Sequence, residues 1–113
     1  VTENIAYKIL TAEQARVLET GMFAGAPVDL ADGYIHLSTA AQVPETLSKH
    51  FAGQQNLVIA AVDLTQFGDE LRWEVSRGGA LFPHLYAKLP RGAVTACMSI
   101  DEFYKTISSS SVE

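Results

Sequence analysis

Two stretches of this chain set ionisable side chains inside runs otherwise apolar enough to be core strands. One is Asp32-Gly33-Tyr34-Ile35-His36-Leu37-Ser38-Thr39. The other is Arg72-Trp73-Glu74-Val75-Ser76-Arg77-Gly78-Gly79, continued by Phe82-Pro83-His84-Leu85-Tyr86. Charge in such a place demands a partner or a ligand. Strand alternation puts Tyr34, His36 and Ser38 on one face and Ile35 and Leu37 on the other. It likewise groups Arg72, Glu74 and Ser76 against Leu71, Trp73 and Val75, so Trp73 reads as core. Pro83 fixes the backbone before His84, and alternation aims His84 and Tyr86 to one side.

The chemistry open to these residue types is general acid–base work by imidazole, stabilisation of positive charge by a carboxylate, and anion binding by guanidinium. Glu74 could accept from substrate hydroxyls or act as a base, held by Arg72 or Arg77. Arg77-Gly78-Gly79 could offer a guanidinium and backbone N–H groups to an anion. Each residue also has a plainer reading. His36 fits a hydrogen-bonded strand residue, Ser38 a cap or turn, Arg72 and Glu74 a solvated pair, and Tyr86 sheet-edge packing. Ser38 lacks a Gly-x-Ser-x-Gly elbow, which argues against a hydrolase nucleophile. His36, His84 and Glu74 are chemically a legitimate metal set, but no close ligand spacing accompanies them, and no metal is expected. His50, beside Lys49, reads as a surface residue at a helix end.

The elements that would position these groups follow from pattern and punctuation. Ile5 to Leu10 reads as a strand. Thr11 with Gln14 is a capping box opening a helix through Ala12, Ala15, Leu18 and Met22, with Gly21 as its stop. Gly25-Ala26-Pro27 reads as a loop, and Asp32-Gly33 as a turn into the strand Tyr34 to Ser38. Thr39 with Gln42 repeats the capping box and opens a helix that buries Ala40, Val43, Leu47 and Phe51. Glu45 and Lys49 pair on its wet face. Leu57 to Asp63, apolar on both faces, is a central strand. Leu71 to Ser76, Phe82 to Ala87 and Val94 to Ile100 are further extended segments, and Asp101 to Ile107 a terminal helix. The expectation is one α+β domain over residues 1–107, with a mixed or antiparallel split sheet and two main helices, and a disordered tail over 108–113.

Composition narrows the function. The chain has 113 residues, 48% of them hydrophobic, enough for one core. A net charge of −5 without a basic tract argues against DNA or RNA as a partner, while a local pocket for one nucleotide or small anionic molecule stays open. Cys97 is the only cysteine, so no internal disulfide forms, and its apolar surroundings read as burial. No apolar run approaches membrane-spanning length, and neither a signal peptide nor a membrane partner is expected. The expected location is the cytoplasm.

Taken together, Asp29 to Thr39 with Gln42, His50-Phe51-Ala52-Gly53, Leu71-Arg72-Trp73-Glu74, Ser76-Arg77 and Phe82 to Tyr86 resemble the domain-of-unknown-function family 952 of small bacterial proteins. The resemblance runs from about Ile5 to Ile100. It implies a compact relative of the ADP-ribosyltransferase fold, with His36-Leu37-Ser38 similar to the His-x-Ser/Thr signature that holds the NAD ribose. It is also similar to a His-Leu-Ser segment of the tRNA 2′-phosphotransferases. On that resemblance Glu74 orients a ribose hydroxyl and Tyr86 stacks on nicotinamide. The first strand departs from the pattern, carrying Tyr7-Lys8 where many transferases have Tyr-His or Tyr-Arg. The implied substrate is NAD or ADP-ribose, with His36, Glu74 and His84 as catalytic candidates and Ser38, Arg72, Arg77 and Tyr86 as ligand-binding ones. Two functions stay open: ADP-ribosyl-transfer-like chemistry, and a non-catalytic nucleotide or small-ligand module.

Overall fold

The computed structural model of the chain describes residues 4–112, with the side chains of Arg77 and of residues 108–112 outside that description. The chain runs β1 (Ile5–Leu10), α1 (Ala12–Glu19), β2 (Met22–Phe23), α2 (Pro27–Asp32), β3 (Ile35–His36) and α3 (Val43–His50). It continues with β4 (Val58–Asp63), β5 (Leu71–Val75), β6 (Leu81–Leu85), β7 (Leu89–Pro90), β8 (Val94–Met98) and α4 (Ile100–Val112). These strands form three sheets of order β1-β4-β8, β2-β7 and β3-β6-β5, and every pairing within them is antiparallel. The expected α+β class and split sheet are present.

The main sheet has apolar groups on both faces because β4, its central strand, is buried from both sides. Ala6, Leu10, Ala60 and Val62 join Leu18, Phe23, Ile35, Leu37, Leu85 and Leu89 in one core. Ile9, Ile59, Val43, Leu57 and Phe103 form the second, closed by Leu47, Phe51 and Ile107. The second and third sheets and α1 thus pack toward one face, and α3 and α4 cover the other. Both capping boxes are built as their spacing predicts, with Thr11 accepting from the Gln14 N–H and Thr39 from the Gln42 N–H. After Thr39 the first turn is a 3-10 turn, Ala40–Gln42, before α3 proper begins. Pro44 falls in the first turn of α3, where a missing N–H costs little.

Five expectations need correction. Pro27, expected in a loop, opens the short helix α2; a proline at the first helical position has no hydrogen bond to lose. Met22, assigned to the face of α1, lies in β2 and is exposed, because Gly21 at φ 127° ends the helix first. Leu89–Pro90 pairs with that segment, a two-residue ladder too short to leave a period in the sequence. Val75, grouped by alternation with Leu71 and Trp73, does not share their packing and is exposed at the end of β5 opposite Leu81, another exposed residue. Cys97, expected to be buried, is exposed, since β8 is the outer strand of its sheet and Thr95 and Ala96 are exposed with it. The terminal helix starts at Ile100, and the expectation of a disordered tail over 108–113 falls outside the residues described in full.

Among the described residues no helix is long and apolar enough to cross a membrane.

Candidate functional site

The third sheet carries the site. β3 and β6 pair His36 with His84 and Ile35 with Leu85, and β6 and β5 pair His84 with Arg72 and Phe82 with Glu74. Ile35, Leu85, Leu71 and Trp73 turn to the core. The opposite face therefore collects Tyr34, His36, Ser38, Arg72, Glu74, His84 and Tyr86, the grouping that alternation predicts. Tyr34 stacks on His84 with centroids 4.1 Å apart, and also lies 4.7 Å from the His36 ring and 5.1 Å from Tyr86. The two imidazoles sit edge to face at 5.6 Å.

Each imidazole is held from behind by a carboxylate. Glu74 Oε1 lies 2.7 Å from His84 Nδ1 and accepts the Tyr86 hydroxyl at 2.8 Å. These two bonds hold the Glu74 carboxyl below its ordinary range, and the same bond raises the Tyr86 phenol. Tyr34 is raised as well, first by desolvation and then by the charges of Asp32 and Glu74. Arg72 does not pair with Glu74 as expected; its guanidinium carbon lies 4.7 Å above the Tyr86 ring. The Arg77 side chain, another candidate, lies outside the described residues.

The support of His36 is an arrangement that the sequence reading missed. Asp29 is 2% exposed, and Lys8, on the main sheet, 5%. Lys8 Nζ lies 2.9 Å from Asp29 Oδ2 and donates to the His36 carbonyl at 3.1 Å. Asp29 also accepts from the Ala26 N–H at 2.8 Å, closing the first turn of α2, and from the His36 N–H at 3.1 Å. His36 Nδ1 sits 2.6 Å from Asp29 Oδ1, while its Nε2 faces Asp32 Oδ2 at 3.0 Å. Each ring nitrogen of a protonated His36 thus has an acceptor.

Backbone geometry makes this possible at two glycines. Gly33 ends α2 at φ 89°, the left-handed cap that turns the chain into β3. Gly25 lies so close to Asp29 that a β-carbon there would come within 2.9 Å of the aspartate Cβ. A sequence signal for Lys8 existed. It shares the phase of Ala6 and Leu10 in an apolar strand, so its charge must be buried and paired. Its partner could not be read, because 21 residues separate it from Asp29.

Burial raises the Asp29 carboxyl, but the His36 bond, the Lys8 charge and the Ala26 N–H outweigh it and hold the group at about 2. Lys8 is lowered, because its desolvation outweighs Asp29. A carboxyl depressed by folding stabilises the fold above its unfolded value, here 3.8, and loses that contribution as pH falls through the folded one. Asp29 is accordingly expected to contribute about 2 kcal/mol at neutral pH that disappears between about pH 4 and pH 2. Urea unfolding across that window measures it; a flat stability from pH 6 to pH 2 would contradict the assignment.

A cleft of about 560 Å³ opens against this face. His36, Ser38, Ser76, Phe82 and His84 form part of its wall, and Lys8, Thr11, Gln14, Thr46, His50 and Phe51 also line it. The size suits a small organic ligand. Ser38 is buried, and its hydroxyl is 3.1 Å from that of Thr46. Glu74, Tyr86 and Arg72 stand just beyond that wall, joined to it through His84. Six of the seven candidate side chains are therefore gathered on one face. His36 and Glu74 keep 31% and 36% of their side-chain surface in contact with water. Among the described residues no three His, Cys, Asp or Glu side chains are arranged to hold a metal ion.

Fold and site together define a small α+β protein with a ligand-sized cleft lined by β1, α3 and the β3-β6-β5 sheet. The chain belongs to the family described as protein of unknown function DUF952, whose model matches residues 9–97. It is similar to protein CC0527 of Caulobacter crescentus. The crystal structure of that protein is 48% identical, with 83% of each chain covered and a TM-score of 0.80. Its solution structure is 47% identical, covering 85% of this chain and 84% of the other, at a TM-score of 0.75. No curated protein matches the chain.

Proposed function

We propose that the cleft binds NAD or a related nucleotide and supports ADP-ribosyl-transfer-like chemistry. One observation carries the reading: Tyr34, His36, Glu74, His84 and Tyr86 share one sheet face beside a ligand-sized cleft. Cleaving the bond from ribose to nicotinamide builds positive charge on the sugar, which an ionised carboxylate such as Glu74 stabilises. His36, anchored by Asp29 through Nδ1, holds a ribose hydroxyl through Nε2 once the ligand takes the place of Asp32 there, and the aromatic rings contact the flat leaving group. Ser38 lies in the cleft wall, and Arg72, over the Tyr86 ring, supplies a guanidinium for the pyrophosphate. An ADP-ribosyltransferase-like arrangement of the split sheets belongs to the same reading.

Incubation with NAD is expected to release nicotinamide faster than the solution reaction, and calorimetry with ADP-ribose to give saturable binding. If neither NAD nor ADP-ribose binds, the reading is lost.

A second reading, a non-catalytic binding module, is favoured by a separate feature. Glu74 Oε1 already accepts two hydrogen bonds, and Arg72 covers one face of Tyr86. A site so internally paired can hold a ligand without turning it over.

A further inference from the structure

His84 is 3% exposed, yet it forms part of the cleft wall. Its Nδ1 is 2.7 Å from Glu74 Oε1, and Glu74 is not on that wall. An ionised carboxylate only accepts, so Nδ1 carries the proton between them, and a ring with that single proton bears its lone pair on Nε2. Among the described residues Nε2 has no hydrogen-bond partner. A buried acceptor is rarely left unmet unless something outside the protein meets it. The stack with Tyr34 fixes the ring plane, and the Glu74 bond fixes its rotation. A nucleophile's base has the same plan: one nitrogen oriented by a carboxylate, the other presented to the proton it removes.

We propose that His84 Nε2 is the base for a hydroxyl acceptor, water or an alcohol, at this site. The assignment rests on the NAD reading and adds the class of the second substrate. The acceptor O–H gives its proton to Nε2 as its oxygen bonds the ribose C1′. The bond from C1′ to the nicotinamide nitrogen breaks, its electron pair leaves with neutral nicotinamide, and the imidazolium returns its proton to solvent. A carboxylate acceptor brings no proton to remove and meets Glu74 and Asp32. An ammonium must shed a proton before it can attack. A neutral hydroxyl fits both the base and the charge around it.

The test uses His84→Asn, whose amide N–H can replace Nδ1 toward Glu74 but offers nothing at Nε2. With NAD in water and in dilute methanol, wild type is expected to yield ADP-ribose and its O-methyl glycoside. H84N is expected to lose both by about 10²-fold or more while binding ADP-ribose within a few-fold of wild type. Nitrogen NMR of histidine-labelled wild type, which does not depend on the variant folding, is expected to show His84 protonated at Nδ1 and bare at Nε2. Retained turnover in H84N, or a proton fixed on Nε2, overturns the base assignment alone. Wild type that releases no nicotinamide overturns the NAD reading and the acceptor with it.

Discussion

Asp29→Ala is expected to cost the fold about 3–5 kcal/mol, the range for removing one member of a buried ion pair. The substitution strands more than a charge. Among the described residues Lys8 Nζ keeps the His36 carbonyl as its acceptor, while the Ala26 and His36 N–H groups and His36 Nδ1 lose theirs. Against a total stability of about 5–15 kcal/mol for a domain, that is a large fraction. Lys8→Met should cost less, because the Asp29 carboxylate keeps its three other donors. The double variant should be less destabilised than the sum of the singles, since neither residue leaves a buried charge without its partner. Denaturant unfolding of the four proteins measures this directly. A cost for Asp29→Ala near 1 kcal/mol, or strict additivity, would mean the pair does not act as a unit.

Glu74→Gln carries the largest expected effect on chemistry. Gln keeps the size of the side chain and one acceptor oxygen, but removes the charge that opposes a developing cation. An enzyme of the proposed kind should lose about 10²–10³-fold in nicotinamide release. Binding of ADP-ribose should change by only a few-fold, and the thermal midpoint little, because Glu74 is half-exposed at the edge of the site. Loss of binding without a prior rate to lose would instead mark the cleft as a binding module. Steady-state rates beside calorimetry separate the two.

The shared face of the site was legible because alternation is a local rule. Once residues 34–38, 71–76 and 82–87 read as strands, His36, Glu74, His84 and Tyr86 had to fall in phase, and Trp73 out of it. That they would face one another depended on sheet order, β3-β6-β5, which no local pattern encodes. Both capping boxes were readable for a similar reason, four consecutive residues being enough to define one. The Lys8–Asp29 pair was not, since its members lie in different elements and meet only after the sheets pack. Cys97 misled because an apolar run looks alike in a central and an outer strand; only the neighbours distinguish them. α2 was hidden by its Pro27, which signals both a turn and a helix start.

Among the described residues the two larger sheets meet at one isolated bridge, Tyr7 N–H to the Ser38 carbonyl at 2.7 Å and Ser38 N–H to the Tyr7 carbonyl at 2.9 Å. Both residues flank the cleft, and Lys8 crosses to Asp29 from the very next position. Two backbone hydrogen bonds and one buried ion pair thus cross the gap between those sheets side by side. A ligand of the proposed kind would therefore meet two walls already tied to each other, and selectivity would fall to shape and to the few side chains already in place.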